Sequence, residues 1–202
     1  MTLVLAAFLT AAPITLEADP NHSTVGFSVK HMMVTTVHGT FTKFSSTLTF
    51  DKDDPGKSSV VVKIEPASIN TNNEKRDGHL KSADFFDVQR CPEMTYKSTR
   101  IDKSGDNYKV TGELTMHCLT KPLTLEASFT PDPVKSPMGP VYAASATGKL
   151  KRSEWGLTWN KALEGGGALV SDEVNLELDF ECGPSKAEAR KEAQTETKAK
   201  AN

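Results

Sequence analysis

The chain has 202 residues, enough for one domain with a packed interior, and its 24 basic and 26 acidic residues leave a net charge of −2. That balance supplies no cationic field for nucleic acid, and aromatics at 7% make a poor base-stacking platform, so a nucleic-acid partner is argued against. Hydrophobic residues at 37% and charged residues at 25% describe a globular composition.

The N-terminal run Leu3–Ala12 is apolar and uncharged, ending before Pro13. At about ten residues it is too short to span a bilayer and fits the apolar centre of a secretory signal. Residues 1–12 are therefore read as an export signal, which puts the mature protein in the periplasm or outside the cell. Only the Met1 amino group supplies the usual positive start, and the alternative is a segment packed on the fold.

From Ile14 to Cys182 the dominant signal is alternation with period two, the mark of half-buried strands. Val25, Phe27 and Val29 share one face, and Val60, Val62 and Ile64 repeat the pattern. Between Gly39 and Phe50 the phase changes: Phe41 lies on the odd face, Phe44, Leu48 and Phe50 on the even one. This predicts a β-bulge or corner between Thr42 and Ser46. Thr71–Glu74 reads as a capping box opening a helix over 72–81, with Leu80 turned toward Phe85 and Phe86.

Alternation resumes with Met94 and Tyr96, with Val110, Leu114 and Met116, and with Leu123, Leu125, Ala127 and Phe129. Turn clusters at 51–56, 102–107 and 131–140 separate the runs. In the strand through Tyr142, Ala144, Ala146, Gly148 and Leu150 the same face is small in its middle. Small inward residues leave a lumen open, unless the helix packs closely over this strand instead. Val174, Leu176, Leu178 and Phe180 form the last and cleanest run; the segment 183–202 has no Leu, Ile, Val or aromatic residue and is expected to be a disordered tail. About eight strands and one helix imply a sandwich or a closed barrel.

Several stretches in this order resemble the YceI-like family of polyisoprenoid-binding proteins: Asp19–His31, Gly39–Phe44, Asn73–Asp87, Gly112–Leu125 and Val170–Leu176. The resemblance covers nearly all of 14–182 and implies an all-β, eight-stranded antiparallel lipocalin-like barrel holding an isoprenoid lipid, with no other cofactor. Cys118 stands where that family usually has Gly, and Ser153–Gly156 replaces a more usual Asp-Phe-Gly. On the alternation, the wall positions are Val25, Phe27, Val29, Phe41, Phe50, Val62, Met94, Tyr96, Leu114, Met116, Leu125, Ala144, Ala146, Leu176 and Leu178, joined by Leu80 and Phe85. Burial is worth about 0.8 kcal/mol per CH₂, so such a lipid needs a carrier to cross water.

Polar candidates are few. Arg76 and His31 are assigned to a lipid headgroup, against the alternatives of a helix-fixing Arg76–Asp77 ion pair and a structural hydrogen bond for His31. His31 and His38 lack a third ligand at metal spacing, so no metal is expected. His117 and Cys118 are neighbours and point to opposite faces of a strand, which makes no nucleophile–base pair, and no catalytic residue is assigned. Pairing Met94 and Tyr96 with Leu114 and Met116 on one buried face needs an even register. That register turns Cys91 outward, unless Pro92 introduces a bulge, and buries Cys118, so these thiols are expected to stay unjoined. The leading reading is a lipid carrier or store with transient membrane contact, its oligomeric state open and a dimer allowed. A ligand-free structural barrel and a lumen isomerase or cyclase are the alternatives.

Overall fold

The computed structural model describes residues 12–164 and 166–189. The expected export signal, all but Ala12, and the tail from 190 onward lie outside the described residues. Among the described residues no helix is long and apolar enough to cross a membrane.

The alternating runs become β1 (Ile14–Ala18), β2 (Thr24–His31), β3 (Thr35–Phe41), β4 (Phe44–Phe50), β5 (Ser59–Ile64) and β6 (Ile69–Asn70). They continue as β7 (Met94–Ser104), β8 (Asn107–Met116), β9 (Leu119–Phe129), β10 (Val134–Ser136), β11 (Gly139–Lys151) and β12 (Val170–Pro184). Three pairs of short strands act as single bent staves: β1 with β2, β3 with β4, β5 with β6. Together with β7, β8, β9, β11 and β12 they make an antiparallel barrel of eight staves. It closes because β11 pairs with β9 on one side and β12 on the other, and β12 pairs with both halves of the first stave. Short β10 pairs only with the start of β11.

Residues facing inward are mostly apolar on every stave, because closure gives the sheet one dry face and one wet one. The corner expected between Thr42 and Ser46 is present. β3 ends at Phe41, Thr42 and Lys43 form the bend, and Phe44 restarts a strand that pairs with β1 and β5 instead of β2. Phe41, Ser46 and Phe50 are buried on either side of it.

Helix α1 (Glu74–Lys81) begins later than expected. Its N-cap is Asn73, whose side chain accepts from Arg76 N at 3.0 Å, not Thr71. Thr71 has another duty: its N and Oγ1 donate to Asp77, while Arg76 Nε and Nη2 donate to Thr71 Oγ1 (2.7 Å) and O (2.8 Å). Arg76 and Asp77 therefore fasten the helix to the end of β6 through Thr71, instead of pairing with each other.

The even register between β7 and β8 holds from Thr95, opposite Thr115, to Ser98, opposite Gly112, with Tyr96 opposite Leu114; a bulge between Ser98 and Arg100 then shifts the pairing by one, so that Ile101 faces Val110. The conclusion about the cysteines does not hold. Cys91 and Cys118 form a disulfide, with Cα atoms 5.5 Å apart. Strand parity does not reach past the strand ends: β8 stops at Met116, and His117 and Cys118 are the two-residue turn into β9, at φ of 50° and 60°. A turn of that kind needs left-handed backbone at both positions, which swings Cys118 out of the inward row toward buried Cys91. At the other end of the chain, β12 runs past Cys182 to Pro184, opposite Leu16, and residues 186–189 make a helical turn after Ser185. The sheet thus extends beyond the boundary expected at Cys182.

Candidate functional site

Strand directions separate two ends of the barrel. The upper end holds the β2–β3 turn, α1, the 82–93 segment, the disulfide-linked turn after β8 and the chain between β11 and β12. The lower end holds the starts of β1, β8 and β11. Inside lies a cavity of about 520 Å³, walled on all eight staves. Each of the wall positions assigned from alternation lines it, as do Leu80 and Phe85 beside α1, and Arg76 and His31. Both Val170 and Cys182 of β12 face it. That stretch covers about 40 Å of strand, or on the order of 30 Å along the axis at a typical barrel tilt. The cavity is therefore a long slot.

Ala144 and Ala146 line the slot, but Gly148 does not keep it open. A Cβ there would meet Leu125 Cδ2 at 2.5 Å, so this glycine makes room for the leucine side chain. Nor does the helix press on β11; α1 is fastened to the end of β6 through Thr71. At the lower end Phe50 and Phe129 pack at 4.5 Å between ring centroids, with Tyr142 stacked on Phe129. At the upper end Phe86 meets Phe41 edge-on, and His79 meets both Phe85 and Trp159 at right angles.

The apolar stretch contains few groups able to do acid–base work. Tyr96 donates to Val110 O (3.0 Å) and lies 3.3 Å from Leu123 O, and burial pushes its hydroxyl up to about 12. Burial likewise pushes the Cys182 thiol up to about 11, which keeps it protonated. His31 and His38 do not meet: His31 pairs with Thr35, and His38 stands opposite Ser28. Among the described residues the group with metal-ligand proximity is Asp19, His22 and Glu181, an exposed cluster away from the slot. There His22 Nδ1 lies 3.0 Å from Asp19 Oδ2, a structural hydrogen bond.

Alternation missed several lining residues. Arg152 is only 6% exposed, and its guanidinium donates to the backbone carbonyls of Leu157, Trp159 (3.0 Å) and Ser171 (3.0 Å). Burial lowers its pKa, partly opposed by Asp172. A signal existed for it, since Arg152 continues the inward parity of Leu150. Trp159 and Leu169 sit in an aperiodic connection and left none.

Similarity to known proteins agrees with this geometry. Residues 16–182 match the model of the YceI-like domain. A UPF0312 protein of Photorhabdus laumondii is 36% identical over 154 residues, covering 76% of this chain and 80% of the relative. The crystal structure of a Campylobacter jejuni YceI protein superposes with a TM-score of 0.64 at 31% identity, covering 83% of this chain and 96% of that one. A polyisoprenoid-binding domain from Saccharophagus degradans shares the fold at a TM-score of 0.60 and 12% identity, over 85% and 99% of the two chains.

Proposed function

The chain belongs to the YceI-like domain family, and from that premise we propose that its barrel holds a long isoprenoid lipid, as a carrier or store outside the cytoplasm. The observation that carries this reading is the slot itself: about 520 Å³, apolar over most of its length. A long chain fits such a shape better than a compact ring system, and each buried CH₂ contributes about 0.8 kcal/mol. A polyisoprenoid-binding domain on the same fold adds support.

A filled structural barrel is disfavoured by the cavity volume. Catalysis in the lumen is disfavoured because Tyr96 is committed to backbone carbonyls and Cys182 is held protonated. The rim of the β2–β3 turn exposes Met32, Met33 and Val34 beside the cavity-lining His31, an apolar tip suited to brief contact with a bilayer during lipid exchange.

The test is solvent extraction of protein purified without detergent from its native host, followed by mass spectrometry. An isoprenoid series in stoichiometric amount is expected. An empty extract, together with failure to take up added isoprenoid, would overturn the reading. Fractionation of the same cells should place a mature chain lacking Leu3–Leu9 outside the cytoplasm; full-length protein in the cytosol would overturn the location.

A further inference from the structure

The charges that face the slot have one sign. Lys75, Arg76 and Arg152 line it, with His31 and His79, and among the described residues no aspartate or glutamate does. Composition does not explain this, because acidic residues outnumber Lys and Arg in the chain, 26 to 24. All of these side chains belong to the upper end: His31 ends β2, Lys75, Arg76 and His79 lie on α1, and Arg152 follows β11 directly.

Neighbouring acids leave most of that charge unanswered. His79 is paired with Asp84 at 2.8 Å and drops out of the balance. Asp77 accepts from Thr71, and neither it nor Glu74 faces the slot. Asp172, which acts on Arg152 from a distance, is held by Ser153 N (3.0 Å) and Oγ (2.8 Å). Arg152 itself is bonded to neutral carbonyls, and among the described residues Lys75, Arg76 and Arg152 make no ion pair. Arg152 is buried beside an apolar space without a counter-ion, which is costly, and the exposed Lys75 and Arg76 stand at the same end, so an anion arriving there is attracted by all three. Arg76 spends Nε and one Nη2 hydrogen on Thr71, which leaves Nη1 for an oxyanion.

We propose that the upper end of the slot is a head site for an oxyanion, so that the lipid enters chain first and ends in a phosphate, diphosphate or carboxylate instead of a neutral quinone ring or alcohol. This rests on the reading of the slot as a lipid cavity. It adds the chemical class of the lipid's terminus and its direction: chain toward Phe50 and Phe129, head between α1 and Arg152.

Delipidated full-length protein titrated with geranylgeranyl phosphate, geranylgeraniol and inorganic phosphate tests it, with Trp fluorescence as the readout. The lipid phosphate should bind about tenfold or more tighter than the alcohol, the scale of one charge-assisted hydrogen bond. That ratio should shrink as salt is raised. It should fall to about threefold or less in a K75Q/R76Q protein, while R152K, which keeps the charge where R152Q risks the fold, should retain it. Equal affinity for phosphate and alcohol would overturn the head site and leave the lipid cavity standing. Binding of neither lipid would overturn both. Inorganic phosphate binding as tightly as the lipid phosphate would show a free-anion site and overturn the head-site assignment.

Discussion

At the residue scale, the inward face of the barrel depends on a few close fits. Gly112 lies between Val110 and Leu114, and a Cβ there would meet Lys97 O at 2.5 Å and the Tyr96 ring at 2.6 Å. Gly112→Ala should therefore destabilise by about 2 kcal/mol or more, because one of the clashing atoms is backbone. Adding Tyr96→Phe would leave Lys97 O in place and should not rescue it. Tyr96→Phe alone should cost about 1–2 kcal/mol, through the lost hydrogen bond to Val110 O. Urea melts of the three proteins check the series.

Charge at this scale predicts a pH window. The Asn21 N–H and then His22 hold Asp19 below 3.8, and Asp19 with Glu181 raises His22 above 6.5. The lowered carboxyl contributes stability above 3.8 that is lost as pH falls through its folded value. The raised imidazole contributes below 6.5, and its share is lost as pH rises through its folded value. Between 3.8 and 6.5 both contributions are present. In an NMR titration, Asp19→Asn should bring the His22 midpoint back toward 6.5; an unmoved midpoint would mean the pair does not form.

At the element scale, the β8–β9 hairpin is the piece that covalent chemistry holds to its neighbour. Its turn places Cys118 against Cys91, which ends the segment running from α1 under the upper rim. His117 Nδ1 donates to Trp155 O at 2.9 Å, and Trp155 Nε1 donates to Leu114 O at 3.0 Å. The same turn therefore also seats the buried indole of Trp155. Cross-linking residues 27 apart removes loop entropy from the unfolded chain. Cys118→Ser should accordingly lower stability by about 3–4 kcal/mol in the oxidised protein. Denatured, unreduced wild type should present a single thiol, Cys182, unreactive until the barrel opens. Three titrating thiols would show that the bridge does not form.

At the scale of the whole molecule, the long slot asks for a wall that stays thin in one place. Ala144 and Ala146 provide it on β11, next to Ala127 and Phe129 of β9. Ala146→Phe projects a ring into open space, so stability should change by less than about 1.5 kcal/mol. Recovered lipid should fall about tenfold. A folded A146F protein that still carries its full complement of lipid would mean that the ligand lies elsewhere.

The sequence alone determined the staves, their inward faces, the register of β7 on β8 as far as Ser98 and the wall of the slot. Alternation is a local, two-residue signal, and burial of one face enforces it along every strand. It failed where strands end. Parity placed Cys118 in the inward row and missed its bond to Cys91, because a left-handed turn breaks the alternation. It did not show that Gly148 yields its space to Leu125, a neighbour on another strand. Thr71 read as a helix cap because the capping pattern is local, whereas its true partners, Arg76 and Asp77, lie along the formed helix. Only the tertiary structure collected Lys75, Arg76 and Arg152 at one end of the slot without an acid between them. The helix and the segment after β11 lie far apart in the chain, and closure of the barrel is what brings the exposed Lys75 and Arg76 and the buried Arg152 to one end of the slot.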